Sequence, residues 1–118
     1  MYNKNNVFAK IISEELPSEK IYEDDILIAI KNIAPVSPVH FLIIPKGGYT
    51  DFEDFVTNAS ANEVSRYFKT TAKIAKENNI SEYRLVCNKG ESVGQSVFHF
   101  HTHLISGFDD LTLIDHNL

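Results

Sequence analysis

Three of the five histidines in this 118-residue chain stand at 99, 101 and 103. The run Phe98-His99-Phe100-His101-Thr102-His103-Leu104-Ile105 alternates with a period of two, which is the pattern of a β-strand. On such a strand Phe98, Phe100, Thr102 and Leu104 share one face, and the three imidazoles share the other. The apolar face seats the strand on a core and leaves the imidazoles free for chemistry. Neutral imidazole is a nucleophile near pH 7, and its protonated form is an acid and an anion binder. Neighbouring histidines divide these roles, because a nearby positive charge lowers an imidazole's pKa. Phosphoryl or nucleotidyl transfer needs an attacking group, charge stabilisation on the oxygens and an acid for the leaving group.

A metal site is the competing use of such a run. Two histidines two residues apart on a strand can share one zinc ion, but His99 and His103 would stand ~13 Å apart at ~3.3 Å rise per residue. A further ligand would have to come from elsewhere, such as His40. A purely structural origin for three histidines on one strand face is the third reading. The preceding loop, Lys89 to Ser96, favours phosphorus chemistry. Backbone N–H groups around Gly94, Gln95 and Ser96 can cradle oxygens, and the Ser96 hydroxyl can meet a leaving group.

Several elements must position these residues. Asn6 caps a short helix through Phe8, Ile11 and Ile12, with Pro17 beyond its end. Ile26 to Ile30 and Phe41 to Ile44 are branched apolar runs of strand length. Between them Ala34-Pro35-Val36-Ser37-Pro38 forms an extended loop, because both prolines restrict the backbone. Ser60 and Glu63 form a capping box opening a long helix. Its apolar stripe comprises Val64, Tyr67, Phe68, Thr71, Ala72 and Ala75. Asn78-Asn79 ends it, since Asn tolerates the left-handed conformation. Asp51 to Val56 adds a helical turn. Tyr83 to Asn88 and Val97 to Ile105 are the remaining strands read from the residues. Short connections favour antiparallel pairing, giving an α+β fold.

Composition narrows the function. A 118-residue chain suits one domain, 1–118, and its 43% hydrophobic content supports a core without a staple. A single cysteine, Cys87, permits neither an internal disulfide nor a cysteine zinc cluster, and reads as a small buried hydrophobe. The net charge of −5 argues against nucleic acid as a partner, so an anionic ligand needs a local site. No apolar run reaches the ~18–20 residues of a membrane span, and no leader precedes residue 7. The expected location is therefore cytoplasmic, with no membrane partner.

The residues above also resemble a known family. His99-Phe-His101-Thr-His103-Leu-Ile resembles the histidine triad (HIT) motif. Val7 to Ile12 with Pro17, then Tyr22 to Asp25, is similar to that family's opening segment. Pro35, Pro38, His40 and Ile43-Ile44-Pro45-Lys46 are similar to its middle block. Asn88-Lys89-Gly90 and Gly94 to His99 resemble the approach to the triad. The likeness spans residues 7 to about 107, and Gly-Gln-Ser before the triad resembles the Hint branch rather than the Fhit-like one.

The resemblance implies a five-stranded antiparallel sheet with one long and one short helix, and a homodimer. It also implies hydrolysis of nucleoside 5′-phosphoramidates through a covalent nucleotidyl-histidine, with a purine nucleotide conjugate as substrate and no cofactor or metal. On this pattern His101 is the nucleophile, His103 and His40 contact the phosphate, and His99 supports them from behind. Ser96 sits near the leaving group, Asn88 contacts the phosphate end, and Gly94, Gln95 and Val97 line the phosphate pocket. Val7, Phe8, Ile11, Ile30 and Ile33 line the base pocket. The family usually carries Asp at position 32, where it binds ribose hydroxyls. Asn32 both donates and accepts there. The family's zinc cysteines and C-terminal tryptophan have no counterpart in this chain. Dinucleoside polyphosphate hydrolysis and a non-enzymatic nucleotide- or partner-binding role are the alternative functions.

Overall fold

In the computed structural model, residues 1–107 are described. The tail from Phe108, including His116, lies outside them. The elements run α1 (Val7–Ile12), β1 (Lys20–Glu23), β2 (Leu27–Lys31), β3 (Val39–Pro45), α2 (Phe52–Asn58), α3 (Ala61–Glu77), β4 (Arg84–Val86) and β5 (Thr102–Ser106). A 3-10 turn at Glu91–Val93 interrupts the loop between β4 and β5. The strands form one antiparallel sheet in the order β1-β2-β3-β5-β4.

Both faces of this sheet are covered, which explains why β2 and β3 read as continuous apolar runs rather than alternating ones. Leu27, Ala29, Phe41, Ile43 and Leu104 face α2 and α3, packing with Phe55, Tyr67, Ile74 and Phe100. Ile28, Ile30, Leu42 and Ile44 face the other way, against Phe8 and Ile11 of α1. The histidine site forms on this second face.

The helix termini follow the capping chemistry of the sequence. Asn6 Oδ1 accepts from Ala9 N–H at 2.9 Å and starts α1. Ser60 Oγ accepts from Glu63 N–H at 3.0 Å and starts α3. The Glu63 carboxylate accepts from Tyr49 Oη at 3.1 Å, tying α3 to the segment after β3. Asn79 takes the left-handed conformation (φ 59°) just beyond α3. Tyr67, Thr71 and Ala75 of the expected stripe are buried, while Ala72 is exposed and Ile74 takes a buried place instead. Asp51 Oδ1 caps α2, so that segment is a full seven-residue helix.

Strand boundaries are where the structure departs from expectation. The strand expected over Val97 to Ile105 begins only at Thr102. The β3–β5 register ends at Ile43↔Thr102, and two residues further Pro45 would face Phe100. Proline has no N–H to give the ladder. Phe100 N–H turns away to Tyr49 O at 2.7 Å. Phe98, expected on the core face, is accordingly 42% exposed. The strand expected over Tyr83 to Asn88 shortens to β4 for the same reason, since its partner strand ends at Thr102. Cys87 then falls beyond β4 as an exposed residue, though its Sγ lies 3.3 Å from Thr102 Oγ1.

Tyr67 joins the long helix to the strands that carry the site. It is fully buried, and its Oη donates to Ile43 O at 2.7 Å and meets Thr102 Oγ1 at 2.8 Å. Replacing it by Phe leaves both partners buried without this bond. Tyr67→Phe is expected to destabilise the fold by about 1–3 kcal/mol. In urea unfolding the midpoint falls with an unchanged slope.

Candidate active site

β3 and β5 bring two histidines together from opposite directions. His40 pairs with Ile105 and Leu42 with His103, so His40 and His103 are diagonal neighbours on one face of the sheet. His40 Nε2 lies 2.9 Å from His103 Nδ1. His101 precedes β5, yet its ring stands 5.0 Å from that of His103, centroid to centroid. Phe8 of α1 packs its ring edge-on to His101 at 4.8 Å.

The hydrogen bonds decide where each proton sits. His101 Nδ1 lies 2.8 Å from His99 O. A carbonyl only accepts, so Nδ1 carries the proton and Nε2 holds the lone pair. His40 Nδ1 accepts from Val36 N–H at 3.1 Å, which puts the proton of neutral His40 on Nε2. That N–H donates to His103 Nδ1, and the proton of His103 is left on Nε2. His103 Nε2 is buried without a hydrogen-bond partner, an arrangement that costs free energy until a ligand accepts from it.

Burial favours the neutral form of His99, His101 and His103. It pushes the pKa of His101 below the ordinary 6.5, opposed by its bond to His99 O. It pushes His103 to about 3, with His101 and His40 adding like-charge repulsion. His99 is also lowered, chiefly by burial. His99 Nε2 donates to Pro45 O at 2.7 Å.

The rings of His101 and His103 border a largely apolar cavity of about 470 Å³. Val7, Phe8, Ile11, Ile30, Asn32, Ile33, Gly94, Ser96 and Val97, all expected at the site, line it. Ile33 is almost wholly exposed and so forms a lip rather than a wall. Leu16, Pro17, Ser18, Lys31 and Leu42 also line the cavity. Sequence reasoning missed these five. Leu42 was legible as the residue two beyond His40 on the same strand face, and Lys31 as the residue between Ile30 and Asn32, whereas Leu16, Pro17 and Ser18 depend on how the chain after α1 folds back.

Other expected residues stand apart. His40 and His99 lie behind His103 and His101 rather than on the cavity wall. Asn88 is half-buried beyond β4 and is not among the lining residues. Gln95, expected to line the phosphate pocket, is buried instead. Its Oε1 accepts from Gly90 N–H at 2.8 Å, and its Nε2 donates to Thr50 O at 2.8 Å and Val97 O at 3.1 Å. Gln95 thus braces the loop. The expected backbone cradle also contracts, because Gly94 and Gln95 N–H donate to Glu91 O and Gly90 O within the loop's own turn.

At the cavity rim, Asn32 Oδ1 accepts from Ala34 N–H at 2.8 Å, which orients its amide nitrogen toward His40 Nε2 at 3.1 Å. Since Nε2 bears the His40 proton, two N–H groups meet there, and a carboxylate at position 32 would instead accept. Among the described residues, no group of three His, Cys, Asp or Glu side chains is arranged to hold a metal ion. None of the helices there is long and apolar enough to cross a membrane.

This geometry offers a nucleophilic imidazole nitrogen beside an unpartnered N–H donor on one wall of an apolar cavity. Comparison with known proteins identifies the family. The HIT domain pattern matches residues 13–110. An uncharacterized HIT-like protein of Rickettsia prowazekii is 50% identical, over 99% of each chain. The purine nucleoside phosphoramidase of Escherichia coli K12 is 38% identical, over 88% of each chain. Among solved structures, a HIT family hydrolase from Clostridium thermocellum superimposes with a TM-score of 0.82 at 41% identity, covering 95% of this chain and 99% of that one. From the antiparallel sheet, the histidine cluster and these matches, the chain belongs to the HIT domain family.

Proposed function

We propose that this protein is a nucleoside phosphoramidase, binding a purine nucleotide conjugate in the apolar cavity and cleaving its P–N bond. One observation carries this reading: the His101 Nε2 lone pair and the unpartnered His103 Nε2–H border the same cavity. The name of the Escherichia coli relative supports the P–N bond as the target.

In this mechanism the base packs among Phe8, Ile11 and Ile30, and the ribose meets Asn32 at the rim. His103 Nε2–H donates to a non-bridging phosphate oxygen. His101 Nε2 attacks phosphorus as the bond to the amine breaks. The amine leaves with a proton relayed through the Ser96 hydroxyl. The nucleotide is then carried on His101, whose ring gains positive charge that His99 O stabilises through Nδ1–H. Water attacks the same phosphorus, the bond to Nε2 breaks, and the nucleoside monophosphate departs. One proton of that water is returned to solvent, replacing the one the amine took up from solvent through Ser96, and the other stays with the nucleoside monophosphate. In the same reading two copies associate through α3 and the edge strand β4, where Leu85 is 43% exposed.

Purified protein is expected to hydrolyse adenosine 5′-phosphoramidate with chelator present, and faster than a dinucleoside polyphosphate. His101→Ala is expected to lose activity by a factor on the order of 10³ or more. Absence of turnover by a folded wild type would overturn the assignment.

The pH profile follows from burial. Attack requires neutral His101, and desolvation lowers its pKa, so the neutral form persists as the pH falls. The acid limb of kcat/KM is therefore expected below pH 6.5, the ordinary histidine value. Light scattering at micromolar concentration is expected to return twice the 13.4 kDa chain mass.

A further inference from the structure

The nucleophile's orientation rests on a segment that the sheet does not hold. His101 and His99 precede the first ladder pair of β5, Ile43↔Thr102. His101 Nδ1–H nevertheless depends on the position of His99 O. Something outside the ladder must therefore fix His99.

Its ring is anchored at both nitrogens. Nε2–H donates to Pro45 O, so Nδ1 carries the lone pair. Tyr2 Oη lies 2.6 Å from that nitrogen and is the donor. Tyr2 Oη in turn accepts from Asn6 Nδ2 at 3.0 Å. Asn6 is the cap residue of α1, and the next turn of chain delivers Phe8 against both His99 and His101. The Tyr2 ring also stands edge-on to the His99 ring at 5.5 Å. Gly48 makes room for it, since a Cβ there would come within 2.8 Å of the Tyr2 ring. Asn6, Tyr2, His99 and His101 thus form one hydrogen-bonded line from the helix cap to the nucleophile.

We infer that Tyr2 is a positioning residue for the nucleophile, acting through the His99 ring to hold the carbonyl that orients His101. The inference rests on the role given to His101 above. Tyr2 is not among the residues lining the cavity, so its loss is expected to affect the attacking step rather than the binding of substrate. A residue that merely filled space would be replaced by phenylalanine without consequence, because the ring is conserved and only the hydroxyl is removed.

The test compares wild type with Tyr2→Phe by long-range ¹H–¹⁵N spectra of the histidine rings in the full-length chain. Single-turnover and steady-state hydrolysis of adenosine 5′-phosphoramidate accompany the spectra. In wild type, His99 Nδ1 is expected to resonate as a hydrogen-bonded imine nitrogen. In Tyr2→Phe it moves toward the unbonded position, and the His101 ring signals move with it. The attack rate and kcat are expected to fall about five- to tenfold, the worth of one lost hydrogen bond, with KM changed less than twofold. Unchanged His101 signals, an unchanged kcat, or a KM that rises as kcat stays level would overturn the inference. The ring spectra need no turnover. An inactive wild type therefore defeats the phosphoramidase assignment alone, while the spectra still decide whether Tyr2 governs the rings.

Discussion

The missing N–H of Pro45 ends the central pairing of the sheet, and the histidine cluster depends on where that happens. Past Ile43↔Thr102 the β3 and β5 backbones no longer bond to one another. Phe100 turns its N–H to Tyr49 O, while the Pro45 carbonyl accepts from the His99 ring. A side chain therefore takes up a carbonyl at the position where ladder bonding has stopped. His99 is pinned there, and its own carbonyl is presented to His101. Had the ladder continued, that carbonyl would belong to a regular strand rather than accept from His101 Nδ1–H.

A second constraint is charge. Four imidazoles lie close together inside the protein, and burying them as cations would cost far more than burying them neutral. Each neutral ring has one donor and one acceptor, so a single external bond sets its tautomer. Val36 N–H sets His40, His40 sets His103, and His99 O sets His101. The result is directional, with a lone pair on His101 and an N–H on His103. A net charge of −5 does not prevent an anion from binding there, because the donor is a local dipole facing an apolar cavity of low dielectric.

The two-faced sheet separates support from chemistry. Tyr67 and the aromatic cluster of Phe55 and Phe100 secure the helix-covered face. The opposite face carries α1, the cavity and the histidines. Thr102 lies between His101 and His103 in sequence but bonds to Tyr67 on the far side. Strand alternation at that one residue couples the core of α3 to the spacing of the two rings that border the cavity.

Much of this was written in the residues themselves. The strand core from Thr102 to Ile105, the caps at Asn6 and Ser60, the helical segment after Asp51, the turn at Asn79 and the runs in β2 and β3 are local signals. Local sterics and periodicity are sufficient to express them. Histidine spacing likewise marked the candidate site, since three imidazoles two residues apart point to catalysis or metal binding. Tertiary structure decided the rest. Phe98 left the core, and Gln95 became a brace rather than a pocket wall. His40 and His99 stand behind their neighbours, and Leu16, Pro17 and Ser18 reach the cavity. Several of these depend on which distant group lies opposite: Pro45 for the strand's beginning, the Thr50 carbonyl for Gln95, the Tyr2 hydroxyl for the ring of His99. Hydrogen-bond partners 45 to 97 residues apart along the chain have no local signature, because only the folded register brings them within reach of one another.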